Sequence, residues 1–284
     1  MAGTNMKDIR LRIKSVESTM QITKAMELVA SSKLRKARER LDRARPFFDL
    51  VYETMTGISA SNKEFGSVFI RERPVKKALY VVIAGDRGLA GGYNANVLKH
   101  AAAVMEGQEA IVAPLGKKSV DYFTRHGYEI LEAPEQTVEA ISLDDCFLFA
   151  EMLCKGFRNG DFDEVYFVYS GFKTMLSQEP AARKVLPLSF EKPETGKAIN
   201  YTVYDPSSEE VFDLVAPQYL AGLLYGAICE SFASEQGARR TAMESATDNA
   251  QEMIGNLNLM YNRARQSAIT QEITEIVSGA NALS

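Results

Sequence analysis

The residues Ile9, Ile13, Val16, Met20, Thr23, Glu27, Ala30, Leu34, Ala37, Leu41, Ala44, Phe48, Val51, Met55 and Ile58 follow one another in alternating steps of 4 and 3. Unbroken alternation of that kind puts every one of them on a single stripe of an α-helix, and about seven such repeats make a coiled-coil seam rather than the face of an ordinary surface helix. Only Thr23 and Glu27 are polar in it. A stripe so narrow and so long can be buried only against another long helix, which excludes a bundle of short elements. Thr4 or Asn5 is suited to cap its start, and Pro46 is expected to kink it.

The other end of the chain offers the partner. Met243, Ala246, Ala250, Met253, Leu257, Met260 and Ala264 also step by 3 and 4, and no proline occurs after Pro217. A nearly continuous helix from about Gln218 to Val277 is permitted, roughly 90 Å long at the α-helical rise. Gly222, Gly226, Gly237 and Gly255 each cost it up to about 1 kcal/mol of propensity, tolerable where another helix packs closely. The two stripes are expected to bury each other as an antiparallel pair, with small residues such as Ala246, Ala250 and Ala264 letting the backbones approach. The two ends of the chain then share one domain.

From Lys76 to about Phe190 the pattern changes. ALYVVIA, AIVAPL and EVYFVYS read as buried strands, and Ala95 to Met105, Lys117 to His126 and Asp144 to Phe157 read as helices between them. The fold expected is a long antiparallel coiled coil of the N- and C-terminal helices with an inserted Rossmann-like α/β domain built on a mainly parallel sheet. The boundaries are residues 1–60 for the first helix, 75–190 for the α/β domain, 191–210 for a polar connecting or foot segment and 211–284 for the last helix.

The segment GDRGLAGG, residues 85–92, leads from ALYVVIA into a helix, the arrangement that cradles phosphates in nucleotide-binding proteins. It fits neither G-x-G-x-x-G nor G-x-x-x-x-G-K-[ST]: its helix opens with Tyr93 and Asn94, where a P-loop needs lysine and a hydroxyl residue. AIVAPLGKK supplies no acidic residue at the end of the second strand, where the dinucleotide fingerprint wants one. The pattern favours a tight turn that exposes Asp86 and Arg87 to another protein. A nucleotide-binding α/β protein with coiled-coil arms stands as the alternative.

No catalytic constellation emerges. Asp144 and Asp145, like Glu209 and Glu210, read as helix starts, where negative charge is favourable, and no serine or threonine has a base nearby to activate it. Cys146, Cys154 and Cys229 form no CxxC pair and are odd in number, so neither a disulfide framework nor a zinc site is expected, and a reducing compartment suits them. His100 and His126 fall in separate helices and read as structural. The expectation is no catalytic residue, no cofactor and no metal. The longest strongly apolar run, Ala78 to Ala84, is far short of a membrane span of about 20 residues, and the start of the chain does not resemble a secretory signal, so any membrane contact is expected to go through partners.

Charge is segregated. Residues 1–45 hold twelve Lys or Arg against five Asp or Glu, a net of +7; the whole chain is −4, which leaves −11 for the rest. SKLRKARERLDRARP could grip phosphates, but its acids are interleaved and no groove-reading motif accompanies it. An acidic protein surface is the better partner than nucleic acid.

The stretches IRLRIKSVESTMQITKAMELVASSKLRKA, GDRGLAGGYNANV and SEQGARRTAMESATDNAQEMIGNLNLMYNRARQSAITQEITEIVSGA resemble the gamma subunits of F-type ATP synthases, across essentially the whole chain. The resemblance implies a non-catalytic rotor shaft, one copy per complex. Its coiled coil would stand inside a ring of three alpha and three beta subunits, with its α/β domain near the c ring and the epsilon subunit. Nucleotides would belong to the alpha and beta subunits. By motif position, shaft contacts fall on Arg239, Arg265, Gln266, Thr270 and Glu272, with Met26 facing them from the first helix, and Arg87 would meet an acidic beta segment. Ile273, Ile276, Val277 and Leu283 would form an apolar tip. YTVYDPSSEE resembles the foot that touches the c ring and epsilon, which makes Tyr204 and Asp205 contacts there. The inserted cysteine pair of chloroplast forms has no counterpart, so a bacterial protein is implied, peripheral on the cytoplasmic face of the cell membrane.

Overall fold

A computed structural model describes residues 6–61, 66–172, 174, 178–190 and 204–282. Thr4, Asn5 and Leu283, together with residues 191–203 of the expected foot, lie outside them. The element order is α1 (Met6–Ser61), β1 (Ala78–Ile83), α2 (Tyr93–Met105), β2 (Ala110–Leu115), α3 (Lys117–Arg125), β3 (Glu129–Ile130), α4 (Leu143–Asn159), β4 (Glu164–Phe172), β5 (Gln178–Leu186) and α5 (Ser208–Ala282). The chain forms two compact units, one of Met1–Ala30 with Arg240–Ser284 and one of Ser31–Arg239.

In the unit of Ser31–Arg239 the strands form one sheet in the order β3-β2-β1-β4-β5. β1 pairs in parallel with both β2 and β4, Ala78 lying opposite Ala110 and Glu164, and only β5 runs antiparallel to its neighbour. All of β1 is buried, which explains its unbroken apolar run. Its alternate residues serve two cores: Leu79, Val81 and Ile83 pack with α4, α1 and α5, whereas Tyr80 and Val82 pack with α2 and α3. α4 starts with a reciprocal cap, Ser142 Oγ accepting the Asp145 N–H at 3.1 Å while Asp145 Oδ2 accepts the Ser142 N–H at 2.8 Å. The Ser142 hydroxyl, donating to Asp145 Oδ2 at 2.6 Å, and then the Ser142 N–H hold the Asp145 carboxyl below its usual range.

The strands β3 and β5 were not expected. β3 is two residues long, and β5, QEPAARKVL, is an edge strand that carries Pro180, Arg183 and Lys184 and so lacks alternation. Within this unit α1 and α5 run antiparallel. The Phe48 ring lies against Gly222 and 6.4 Å from the ring of Tyr225, and Tyr52 lies 6.0 Å from Tyr219.

In the other unit the pairing is again antiparallel: Arg10 sits over the ring of Tyr261 at 5.9 Å, and Thr23 Oγ1 bonds Thr247 Oγ1 at 2.8 Å. Throughout α1 every expected seam residue is buried or half-buried. The α5 seam departs from the expected one at two positions. Met243, Ala246, Ala250, Leu257 and Ala264 are buried or half-buried as expected, with Thr247, Ile254 and Tyr261 beside them, while Met253 and Met260 are exposed. Met residues are apolar in any register; the Thr23–Thr247 bond and the contact of Arg10 with Tyr261 favour the neighbouring position.

Neither proline inside the two long helices ends its helix. α1 continues through Pro46 to Ser61, and α5 begins at Ser208 and passes through Pro217. By length and composition α5 also contains a window apolar enough to cross a membrane, longer than the β1 run that had marked the limit. Its apolar residues Phe212, Ala216, Leu220, Leu224, Ile228 and Phe232 are buried in the core.

Two glycines of α5 separate packing from propensity. A Cβ on Gly222 would lie 2.2 Å from Phe48 Cδ1, whereas one on Gly255 would meet nothing within 4 Å. Gly222→Ala is expected to destabilise the chain by about 1–3 kcal/mol and Gly255→Ala to stabilise it by up to about 1 kcal/mol. Urea unfolding of the purified chain checks both, and in a Phe48→Ala background the Gly222→Ala cost disappears.

Candidate functional site

In an open α/β sheet a ligand binds outside the carboxyl ends of the strands, where the strand order reverses. Here that point lies between β1 and β4, and the glycine loop 85–92 leaves β1 beside it. α5 fills the position. Ser231 Oγ, on α5, lies 3.5 Å from the carbonyl of Ile83 at the end of β1 and 2.7 Å from Tyr93 Oη. Ser234 Oγ donates to the carbonyl of Ser170 in β4 at 2.8 Å. A Cβ on Gly85 would come within 2.9 Å of the Glu235 carboxyl. The glycine therefore makes room for a side chain of the same protein, and the place where a phosphate would approach the loop is taken by a carboxylate.

The loop itself is pinned from three sides. Asn94 Oδ1 accepts the Gly85 N–H at 2.8 Å, and Asn94 Nδ2 donates to the Arg87 carbonyl at 3.1 Å. Asp86 Oδ1 accepts the Lys117 N–H at 3.1 Å and Asp86 Oδ2 the Val138 N–H at 2.9 Å. Arg239 Nη2 donates to the Gly88 carbonyl at 3.2 Å and to Glu235 Oε1 at 2.5 Å. Asp86, expected to face another protein, is instead half-buried and turned inward: as a carboxylate between two backbone N–H groups it holds loops together. Arg87 is exposed, as is Leu89, which adopts φ 64°, a left-handed conformation disfavoured for so large a residue. Gly116, at φ 87°, allows a close approach here: a Cβ would fall 2.0 Å from the Ala84 carbonyl.

Burial dominates the electrostatics of this site. The Glu235 carboxyl is pushed above its usual range by desolvation, against the opposing pull of Arg239. The Tyr93 phenol is raised by burial and then by Glu235. Arg239, expected as a partner contact, is enclosed, with 11% of its side chain exposed; it acts on the loop of Arg87.

The remaining expected contacts lie elsewhere. Arg265, Gln266, Thr270 and Glu272 are exposed on the last turns of α5. Thr270 Oγ1 donates to the Gln266 carbonyl at 2.9 Å, and Thr274 Oγ1 to the Thr270 carbonyl at 2.8 Å, so the hydroxyls back-bond within the helix. Ile273, Ile276 and Val277 are more than half exposed, interleaved with a Gln271–Glu275 hydrogen bond of 2.9 Å, so the tip is mixed rather than purely apolar. Met26 is half-buried on α1 and does not face these residues. With Thr23 at Thr247 and Arg10 at Tyr261, antiparallel counting sets Met26 near the Thr247 level. Tyr204 packs against the core and Asp205 is exposed.

The cysteines are free and buried, and burial pushes the thiols of Cys146 and Cys154 up to about 12 and that of Cys229 to about 11, which leaves them unreactive. Sequence reasoning missed Ser231, Ser234 and Glu235. Their only signal is a polar cluster, S-x-x-S-E, inside an apolar helix. Arg239→Ala is expected to cost about 3 kcal/mol, because it leaves the Glu235 carboxylate buried without its cation, and Glu235→Ala in the same chain to recover part of that loss; thermal unfolding of the single and double variants measures both.

The profile of the family described as ATP synthase matches residues 5–283. The ATP synthase gamma chain of Ruminococcus albus is 52% identical over 281 residues, covering 97% of this chain and 98% of the relative. That of Alkaliphilus metalliredigens is 46% identical over 290 residues, 99% of each. The sodium ion specific ATP synthase gamma chain of Acetobacterium woodii is 42% identical, covering 98% of this chain and 99% of its own. Among solved structures, the mitochondrial ATP synthase of Euglena gracilis (OSCP/F1/c-ring, rotational state 3) contains a chain with TM-score 0.66 at 20% identity, covering 98% of this chain and 94% of that one, which shows the shared fold. Paired terminal helices, a sheet domain whose ligand crevice is closed by α5, and full-length relatives at this level of identity lead to one conclusion: the chain belongs to the ATP synthase gamma-chain family.

Proposed function

We propose that the chain is the central rotor shaft of a rotary F-type ATP synthase, a non-catalytic subunit that couples ion-driven rotation of a c ring to conformational cycling in the catalytic head. The observation that carries this reading is the full-length match to gamma chains, on a fold that offers long paired helices and a closed crevice in place of a nucleotide site. Chains with this fold belong to the central stalk/c-ring of the Tetrahymena thermophila mitochondrial ATP synthase and the OSCP/F1/c-ring of the Euglena gracilis one. The finer arrangement is part of the proposal: one copy within three alpha and three beta subunits, residues 1–60 and 211–284 as the shaft, 75–190 as the α/β domain, 191–210 as the foot with epsilon and the c ring, at the cytoplasmic face of a bacterial membrane.

A rotor works by differential contact. Chemically identical catalytic subunits take different conformations only if the shaft touches each differently, and shifting a two-state site from 1:99 to 99:1 takes about 5.5 kcal/mol. A few charge-assisted hydrogen bonds at about 1.5–3 kcal/mol each suffice. Exposed Arg87, Arg265, Gln266, Thr270 and Glu272 are the side chains able to make them, with Met26 as an apolar contact and Tyr204 and Asp205 at the foot; Arg239 contributes through the loop it holds.

Reconstitution with separately made alpha and beta subunits tests the reading. The chain is expected to join them in a 3:3:1 complex and to change their ATPase activity; a chain that stays apart, or leaves that activity unaltered, overturns it. In the assembled complex Arg265→Ala is expected to lower turnover about tenfold, the loss of one charge-assisted hydrogen bond, with assembly intact.

A further inference from the structure

Contacts in series run from α5 to α1 across the carboxyl ends of the strands, all within the unit of Ser31–Arg239. Arg239 on α5 holds the loop at the Gly88 carbonyl, 3.2 Å away. Two residues earlier in that loop, Asp86 accepts the Val138 N–H at 2.9 Å and the Lys117 N–H at 3.1 Å. The residue after Val138 is Glu139, whose carboxylate accepts from Lys33 Nζ on α1 and whose carbonyl accepts from Arg40 Nη1 on α1 at 3.0 Å. Val138 itself is buried, so this bridge segment is anchored in the core.

We propose that this polar belt ties both long helices to the sheet domain so that they turn with it, and that Asp86 is its positioning residue. The inference rests on the shaft reading above. The helices also meet the domain through a large apolar cluster, but apolar burial is non-directional and opposes separation more than sliding. Hydrogen bonds are directional and oppose a twist about the helix axis. Lys33 and Arg239 lie close to the two sequence limits of this unit on α1 and α5. The Lys33–Glu139 pair is 38% and 43% exposed and adds little alone. Asp86 is the link whose loss opens the belt, because one carboxylate accepts from two separate segments and charged acceptors bind backbone N–H groups strongly.

The test uses the complete complex with a probe on the sheet domain. Lys99 is exposed on α2, and Cys146, Cys154 and Cys229 are buried, so K99C, made on its own and labelled before assembly, gives this chain one reactive thiol. With the head immobilised and the rotor stalled, the angular variance of the probe reports torsional stiffness. D86A is expected to raise that variance at least about twofold, since the apolar cluster left behind resists sliding weakly, and to lower the ions moved per ATP against a load; D86N, which can still accept one N–H, falls between. If D86A fails to assemble, D86N decides: its variance is expected to lie above that of the K99C parent. Assembled variants whose variance and coupling equal those of the K99C parent overturn the proposal. A parent chain that never joins the complex overturns the shaft reading instead, so the two failures are distinct.

Discussion

A long helix with one narrow apolar stripe is not stable on its backbone hydrogen bonds alone; in water its stability comes from tertiary burial of that stripe. The structure depends on this constraint. α1 and α5, of 56 and 75 residues, satisfy it by pairing antiparallel, and the pairing brings the two ends of the chain into one compact unit. The same constraint sets where α5 must lie in the sheet domain, since Phe212, Leu220, Leu224 and Ile228 need a core to enter.

That demand explains why, in an α/β domain of nucleotide-binding topology, the crevice at the carboxyl ends of the strands is filled. The strand order leaves a crossover gap between β1 and β4, and a gap of that kind is either a ligand site or must be filled. α5 fills it with small hydroxyl residues against backbone carbonyls, Ser231 at Ile83 and Ser234 at Ser170, and with the Glu235–Arg239 pair over the glycine loop. Burying that pair is electrostatically expensive, as the raised Glu235 carboxyl records. What it gives in return is position: the loop of Arg87 is fixed to the helix that a rotor would turn.

Polar residues in otherwise apolar seams do comparable work. Thr23 and Glu27 look like flaws in the α1 stripe, yet Thr23 bonds Thr247 across the pair and Glu27 bonds Lys24 at 3.1 Å. Each hydroxyl also has a carbonyl of its own helix within reach, Met20 at 3.0 Å and Met243 at 2.9 Å, so the cross-helix bond adds to this register without rescuing a stranded group. It favours the level that turns Ile254 and Tyr261 of α5 inward rather than Met253 and Met260. Periodicity alone weighs the side chains of one helix and cannot contain the partner that breaks the tie.

The sequence by itself determined the long paired helices, the inserted parallel sheet, three of its strands and the segregation of positive charge into the first helix, because each is written in local period or composition. The motifs at both ends and in the glycine loop sufficed for the family resemblance. Only the tertiary structure decided that Asp86 faces inward, that Arg239 is enclosed, that Met26 stands apart from Arg265 to Glu272, and that β5 closes the sheet. The physical reason is common to all four: each depends on a group distant in sequence, such as Val138 for Asp86, Gly88 for Arg239, Thr247 for the level of Met26, and β4 for an edge strand whose own residues carry no alternation.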